Sequence, residues 1–257
     1  MNQFKVFFKK EIMEAVRTKK ILIIAIVFGI FAILSPVTAK YMNDILRWSL
    51  GSALPEGFGV VDTTWIDGWM EFYNELNQIG IFCIIFMYMG SVAGEKKSGT
   101  AALTLTKNLS HAKFIITKYI VQSLTFIVTF VVSFFICYGY VFYLFGEAGN
   151  FGDLIGGGLM FLVYVLLVLA IVILASTIAK SSAISAVMAF AGYILLGLTS
   201  MIPEIGKYMP GELAGKIGGV TAGQSALTDY LGAVGVSVLL IVLFIGLAVR
   251  ILKKQEL

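Results

Sequence analysis

The chain contains few charged residues. Asp, Glu, Lys and Arg make up only 13% of its 257 residues, whereas a soluble domain carries about 25%. Hydrophobic residues make up 59%, and the mean hydropathy is +0.93. Most side chains are therefore expected to face lipid, and the net charge of +4 is small. This composition excludes a water-soluble enzyme, a disordered segment and a nucleic-acid-binding protein.

Residues that bind metals or form disulfides are also scarce. The two cysteines, Cys83 and Cys137, lie in apolar runs, where a thiol behaves as a small hydrophobic side chain. The one histidine, His111, lies in a polar stretch beside Ser110 and Lys113. We therefore expect neither a disulfide nor a metal site.

Six apolar segments are long enough to cross a membrane, because a spanning helix needs about 20 residues and forms its own backbone hydrogen bonds. The predicted spans are residues 21–39, 78–93, 119–145, 154–179, 184–202 and 230–249. The other predicted segments are residues 1–20, an external segment 40–77, a cytoplasmic loop 94–118 and an external segment 203–229. Together they predict a single all-α integral membrane domain over residues 1–257.

The distribution of charge predicts the orientation of these spans, because basic loops resist translocation. Most Lys and Arg residues lie in residues 1–20, in loop 94–118, at Lys180 and after the last span, whereas most acids lie on the other side. We expect a multi-pass protein of a bacterial cell membrane, with both termini in the cytoplasm.

The end of the first span contains Pro36, which is expected to kink or end a retained helix. A cleaved signal peptide is the alternative, since Val37 and Ala39 resemble a small-residue cleavage site. The charged lead-in before the apolar run is long for a signal peptide. We therefore expect the first helix to be retained.

The sequence contains no motif that would supply energy for transport. The predicted spans contain no ionisable residue away from their ends, which argues against a carrier driven by an ion gradient. The phosphate-binding pattern GxxxxGK[ST] is absent, and residues 211–217 imitate it with the wrong spacing. No catalytic constellation is evident either. The chain is therefore expected not to be an enzyme.

Residues 2–20 carry an apolar stripe at helical spacing, formed by Phe4, Phe8, Ile12 and Ala15. Lys9 and Lys10 flank this stripe, and Glu11 interrupts it. Such a basic helix is typical of an elbow lying among lipid headgroups before the first span. A charged flank that only fixes the orientation is the alternative.

Loop 94–118 is too long for a tight turn. Residues 100–106 are predicted to form about two helical turns with an apolar patch, and Ser110 can cap the helix that enters the third span. A solvated basic loop is the alternative.

These features resemble the permease subunit of ABC-2 type ATP-binding-cassette transporters. The resemblance lies in Lys9-Lys10-Glu11, in Glu95 followed by Gly99-Thr100, and in Lys118 before the third span. Where many family members have a proline, this chain has residues 107–110, Lys-Asn-Leu-Ser. The local path of the loop can differ there.

The resemblance implies that loop 94–118 contains a coupling helix that docks on a separate ATPase subunit. The contact is then at or near Glu95, Gly99, Thr100 and Leu103, with a smaller second contact at Lys180 and Ser181. The resemblance also implies two permease chains, identical or different, working with two ATPase subunits. ATP and Mg²⁺ would bind to those subunits, and this chain would need no cofactor.

The resemblance further implies two short re-entrant helices within residues 203–229, where Gly211, Gly215, Gly219 and Gly223 recur every four residues. Simple helix packing or a flexible glycine loop is the alternative.

The expected function is ATP-driven outward transport of an amphipathic or hydrophobic substrate, such as a peptide, a drug or a lipid-linked glycan. Aromatic residues of the third span, Phe130, Phe134 and Tyr138, are candidates for its pathway, although such a stripe is more often packing. The alternative function is a non-transporting scaffold or sensor that holds a cytoplasmic partner.

Overall fold

The computed structural model describes residues 3–50, 63–106 and 109–255. Its first half contains α1 Gln3–Arg17, α2 Lys20–Lys40, α3 Met42–Leu50, α4 Trp65–Glu75, a π-helical turn Leu76–Gly80, α5 Ile81–Tyr88, α6 Ala93–Lys97 and α7 Thr100–Thr106. Its second half contains α8 His111–Phe145, α9 Phe151–Ile178, α10 Ser182–Thr199, α11 Pro210–Gly215, α12 Ile217–Thr221 and α13 Leu231–Lys254. Short 3₁₀ turns lie at Gly206–Tyr208 and Leu227–Tyr230. Parts of two predicted segments, residues 51–62 and 107–108, lie outside the described residues.

Within the described residues, six helical segments are long and apolar enough to cross a membrane: Lys20–Lys40, Trp65–Lys97, His111–Phe145, Phe151–Ile178, Ser182–Thr199 and Leu227–Lys254. The six-span, all-α fold class is therefore confirmed. Pro36 does not end the first span, because α2 continues through it to Lys40.

The second span begins at Trp65 instead of residue 78, because α4, the π-helical turn and α5 follow one another without a break. Thr64 lies at the N-cap position just before α4, and its backbone N–H donates to the Asp67 carboxylate at 2.7 Å. Trp69 and Phe72 are fully buried on the inner face of α4. Residues 65–77, predicted to be external, therefore form the first turns of a spanning helix.

This earlier start brings acidic residues into the second helix. Glu71 and Glu75 both lie in α4, near the first end of this helical segment. The expectation that the spans lack ionisable residues away from their ends stays a prediction. The whole run Trp65–Lys97 has 33 residues, more than the roughly 20 that a bilayer requires. Its acid-bearing first turns are therefore free to project beyond the hydrocarbon layer.

The core of the bundle is built around α9. In its most apolar stretch 72% of the residues are buried, compared with 17% in the last span. Helices α8, α10, α12 and α13 all pack against α9. At Gly157 of α9, an added Cβ would lie 2.2 Å from the Thr221 hydroxyl of α12. A glycine is needed there because α12 approaches the backbone of α9 closely.

Both terminal helices lie at the same end of the bundle. Phe7 of α1, Phe114 of α8 and Leu252 of α13 belong to one buried apolar cluster. The Lys96 ammonium group, at the end of α6, also donates to the Gln255 side chain at 3.1 Å. That this end faces the cytoplasm stays a prediction from the charge distribution.

The buried face of α1 differs from the predicted stripe. Phe7, Glu11 and Ala15 are buried, four residues apart, whereas Phe8 is half-buried and Ile12 is exposed. Phe4 and Phe8 stack on each other at 6.0 Å on the outer side. The role of α1 as an interfacial elbow stays a prediction, with this outer aromatic pair available to the headgroup layer.

Residues 203–229 contain two short helices, α11 and α12, as the resemblance implied. Helix α11 packs against α9, α10 and α13, and α12 packs against α4 and α9. Their re-entry into the membrane stays a prediction.

Trp69 provides a test of the second span as described. Its ring packs against Phe134 at 4.9 Å, and its indole N–H donates to the Ala148 carbonyl at 3.1 Å. We expect Trp69→Ala to lower the free energy of unfolding by about 3–5 kcal/mol. Trp48→Ala is the control, because Trp48 is 88% exposed. Detergent-induced unfolding of the purified protein measures both, and equal losses would contradict the burial of Trp69.

Candidate coupling site

A buried ammonium group joins three helices at the end that carries the termini. Lys118 of α8 is 2% exposed, and its Nζ lies 3.0 Å from each carboxylate oxygen of Glu11 in α1. The same Nζ lies 3.0 Å from Oε1 of Glu95 in α6. Because a charge removed from water must be paired, Lys118 requires both carboxylates.

Lys10 connects the same carboxylates from the solvent side. Its Nζ lies 2.8 Å from Glu11, 2.9 Å from Glu14 and 2.7 Å from Glu95. Three carboxylates thus share two ammonium groups. We call these five residues the ionic cluster: Lys10, Glu11, Glu14, Glu95 and Lys118.

The ionic cluster shifts the pKa values of Lys10 and Glu14, its more exposed members. Burial opposes the charged form of Lys10, but hydrogen bonds to Glu11 and Glu95 raise the pKa of Lys10 above its ordinary value. Burial likewise opposes ionisation of Glu14, but the hydrogen bond and charge of Lys10 lower the pKa of Glu14. Both groups are therefore charged at neutral pH.

Aromatic rings screen the ionic cluster from solvent. Phe7 of α1 and Phe114 of α8 stack with their ring centroids 5.4 Å apart. The Lys118 ammonium group lies 5.0 Å from the Phe114 centroid and 5.9 Å from that of Phe7. This contact between a cation and the aromatic faces supplements the ion pairs.

Glu11, Glu14 and Glu95 also place carboxylate oxygens within 4.8 Å of one another, a spacing that could hold a metal ion. Each of these carboxylates already contacts a lysine ammonium group within the part of the chain that the structure describes. The donor set therefore fits an ion-pair network better than a metal centre.

Helices α6 and α7 form a short helical hairpin, which includes most of the residues assigned to the ATPase contact. Gly99 separates the two helices with a φ of +74°, a left-handed conformation that favours glycine. The Thr100 hydroxyl lies 2.8 Å from that of Ser98. Ala101 is buried, whereas Leu103 is 65% exposed. The prediction that residues 100–106 are helical is confirmed, and the hairpin presents Leu103 outward.

A second set of hydrogen bonds connects the hairpin to α9. Ser176 accepts from the backbone N–H groups of Val92 and Ala93, each at 3.0 Å, and donates to the Met89 carbonyl at 2.8 Å. The Lys96 ammonium group donates to the Thr177 carbonyl. The break between α5 and α6 is therefore held by the end of α9.

The second predicted contact lies beside the hairpin. Ser181 caps α10 by accepting from the Ile184 N–H at 3.3 Å, and Lys180 is exposed. An added Cβ at Gly90 would lie 2.9 Å from the Ser182 hydroxyl, so the start of α10 closely approaches the segment that leads into α6. The two predicted contacts are therefore adjacent on one surface. Their role in binding an ATPase stays a prediction.

Sequence reasoning named Glu11, Glu95 and Lys118 in separate motifs but did not predict their pairing. The signal was Glu11 itself, an acid inside an apolar helical stripe. Ser110 was predicted as a cap and is one, since it accepts from the Lys113 N–H at 3.3 Å. The links from Lys96 to Thr177 and Gln255 had no sequence signal.

The candidate pathway residues lie away from this end of the bundle. Phe130 and Phe134 are buried and pack against Phe161 and Trp69, at 5.3 Å and 4.9 Å. Tyr138 is half-buried, with its ring edge on Phe151 at 5.8 Å. These rings contribute to the core, and their assignment to a substrate pathway stays a prediction.

The fold and this site define a multi-pass helical membrane protein with an ion-paired helical hairpin at the end that carries both termini. Residues 6–216 match the family described as ABC-2 family transporter protein. The chain belongs to this family, as its motifs indicated, and the matched domain is a transmembrane component, not itself a nucleotide-binding domain. Members of the family normally pair with ATPase subunits.

A similar protein is the uncharacterized transmembrane protein YxlG of Bacillus subtilis (strain 168). It is 27% identical over 216 residues, which cover 80% of each chain. The similarity is to a bacterial membrane protein, in agreement with the expected location.

Replacing Lys118 tests the ionic cluster. Lys118→Met leaves Glu11 without its buried partner, so we expect a loss of about 3–5 kcal/mol in the free energy of unfolding. Lys113→Met, on the exposed side of the same helix, is the matched control and should change it by about 0.5 kcal/mol or less. Detergent-induced unfolding measures both variants.

The double variant Glu11→Gln/Lys118→Met removes both charges of one pair and should recover part of that loss. A double variant less stable than Lys118→Met alone would contradict the pairing.

Proposed function

We propose that this chain is the permease subunit of an ATP-driven exporter and that the α6–α7 hairpin receives the motion of a separate ATPase subunit. The observation that carries the proposal is the combination of an exposed Leu103 with a hairpin bonded to three other helices. A surface loop without a mechanical role needs no such attachment.

The contacts of the hairpin provide a route for movement into the membrane. Ala101 packs in one apolar cluster with Phe7, Phe114 and Ile173, which belong to α1, α8 and α9. Glu95 adds the ion pair to α8, and Ser176 adds the hydrogen bonds to α9. Since close-packed interiors deform little, displacement of α7 would move α8 and α9 with it.

The substrate in this proposal is amphipathic or hydrophobic, and it is moved outward. A peptide, a drug and a lipid-linked glycan all have this character. The interior of the bundle supports it, because apolar and aromatic side chains dominate the core. Two permease chains, identical or different, would work with two ATPase subunits, which bind ATP and Mg²⁺.

Leu103 tests the proposed contact. Its exposed side chain makes Leu103→Glu compatible with folding, but a carboxylate in an apolar interface should weaken binding to the ATPase by about tenfold or more, or about 1.4 kcal/mol. Leu103→Met keeps the apolar contact and should bind normally. Co-purification with the ATPase subunit encoded nearby, together with ATP hydrolysis by the complex, measures both variants.

Unchanged binding and unchanged hydrolysis in Leu103→Glu would overturn the assignment of α7 to the contact. A complex that hydrolyses ATP in proteoliposomes but moves none of the peptide, drug or glycan substrates would favour the scaffold or sensor instead. Transport by this chain alone, without ATP, would overturn the proposal as a whole.

A further inference from the structure

A half-polar cavity of about 310 Å³ lies between the second span and the two short helices α11 and α12. This volume is at the lower end of the range of ligand pockets, about 300–1,000 Å³, and far exceeds the space that one water needs. The cavity lies beside the aromatic core, since Tyr73 and Ile217 belong to both, and it is separate from the α6–α7 hairpin. It lies toward the Trp65 end of the second span, away from the ionic cluster.

One wall of the cavity carries side-chain amides in a helix that is otherwise apolar enough to span a membrane. Asn74 is exposed and Asn77 is half-buried. Within the described ranges, Asn74 makes no side-chain hydrogen bond, so its amide is available to a ligand.

The backbone is irregular at the same point. The π-helical turn Leu76–Gly80 includes Asn77, and the Tyr193 hydroxyl donates to the Asn77 carbonyl at 2.9 Å. Single π-helical turns inside α-helices are frequent at functional sites. Asn77 therefore lies in an irregular turn at the cavity, whereas Asn74 lies in the preceding helix α4.

The opposite wall is formed largely by residues without bulky side chains. An added Cβ at Gly215 would have no atom within 4 Å, so this position faces open space. An added Cβ at Gly218 would instead lie 2.0 Å from the Met70 sulfur. The wall therefore has unfilled space beside Gly215, whereas Met70 packs directly against Gly218.

The lining determines which chemistry the cavity can bind. Among the described residues, no Asp, Glu, Lys, Arg or His lines it. Amides can both donate and accept hydrogen bonds, and Met70 and Ile217 add apolar surface. An ionised group would therefore lose its hydration without gaining an opposite charge, which is unfavourable. A neutral group rich in hydroxyls or amides would replace its bonds to water.

We propose that this cavity binds the uncharged, hydrogen-bonding headgroup of the amphipathic substrate, with Asn74 as a contact residue. The inference rests on the proposed transport function and adds the chemistry of the substrate.

Thiol labelling tests the site without knowledge of the natural substrate. Met70→Cys, at an exposed lining residue that leaves the Asn74 amide in place, is made in a Cys83→Ala/Cys137→Ala background of the full chain, reconstituted in proteoliposomes. A membrane-impermeant methanethiosulfonate then labels the new thiol. The probes have equal alkyl chains: hexyl glucoside is neutral, hexyl sulfate is anionic and hexyltrimethylammonium is cationic.

We expect hexyl glucoside to slow labelling roughly threefold at twice its dissociation constant, whereas the two charged probes leave the rate unchanged. Trp48→Cys in the same background reports on effects of the probes on the bilayer, and its labelling should not change. No labelling at position 70, no protection by hexyl glucoside or equal protection by all three probes would overturn the proposal.

Filling the cavity provides the second test. Gly215→Leu adds a bulky side chain at a residue that lines the cavity, whereas Gly246→Leu, the matched control on α13, also has no neighbouring atom within 4 Å but lies outside the cavity. In the Met70→Cys background, Gly215→Leu should abolish protection by hexyl glucoside, and Gly246→Leu should keep it. Protection that survives Gly215→Leu would place the probe elsewhere and overturn the proposal.

These experiments need no ATPase subunit. Their failure would leave the result with Leu103 unchanged, and a failure of the Leu103 test would not alter the labelling rates. The two proposals can therefore be rejected separately.

Discussion

The buried ammonium group of Lys118 is the constraint on which the arrangement of this protein depends. An unpaired charge at that depth would cost several kcal/mol, so carboxylates must lie beside it. These carboxylates belong to Glu11 and Glu95, which are far apart in the sequence. Pairing therefore fixes α1 and α6 against α8. The hairpin that continues into α7 takes its place relative to the long helices from this charge requirement.

The proposed coupling site and the amide-lined cavity lie at different places along the bundle. The ionic cluster and the Ser176 hydrogen bonds occupy the end where both termini lie, and the aromatic core that includes Trp69 and Phe161 lies farther along the bundle. The amide-lined cavity lies toward the opposite end, beside α11 and α12. In the proposed cycle, ATPase motion enters at the first end and α8 and α9 carry it along the bundle.

The accuracy of the sequence predictions varied with the range of the interactions involved. Spans one and three to six were located because continuous apolar runs are a local property that needs no knowledge of neighbours. The start of the second span was missed because Glu71, Glu75 and Asn77 interrupt its hydropathy, although Trp69 and Phe72 lie on its inner face. Glu11 looked like a defect in an amphipathic helix because its partner lies 107 residues away.

The sequence alone determined the membrane environment, the number of spans and the absence of a nucleotide-binding motif, because composition, run length and short motifs can be read without contacts. Only the tertiary structure decided which carboxylates pair with Lys118, which face of α1 is buried and where a polar cavity remains. These features depend on distances between residues on different helices, which arise only when the helices pack. Whether a charged or amide side chain stabilises the fold or stays accessible to a ligand therefore depends on the residues that the neighbouring helices place beside it.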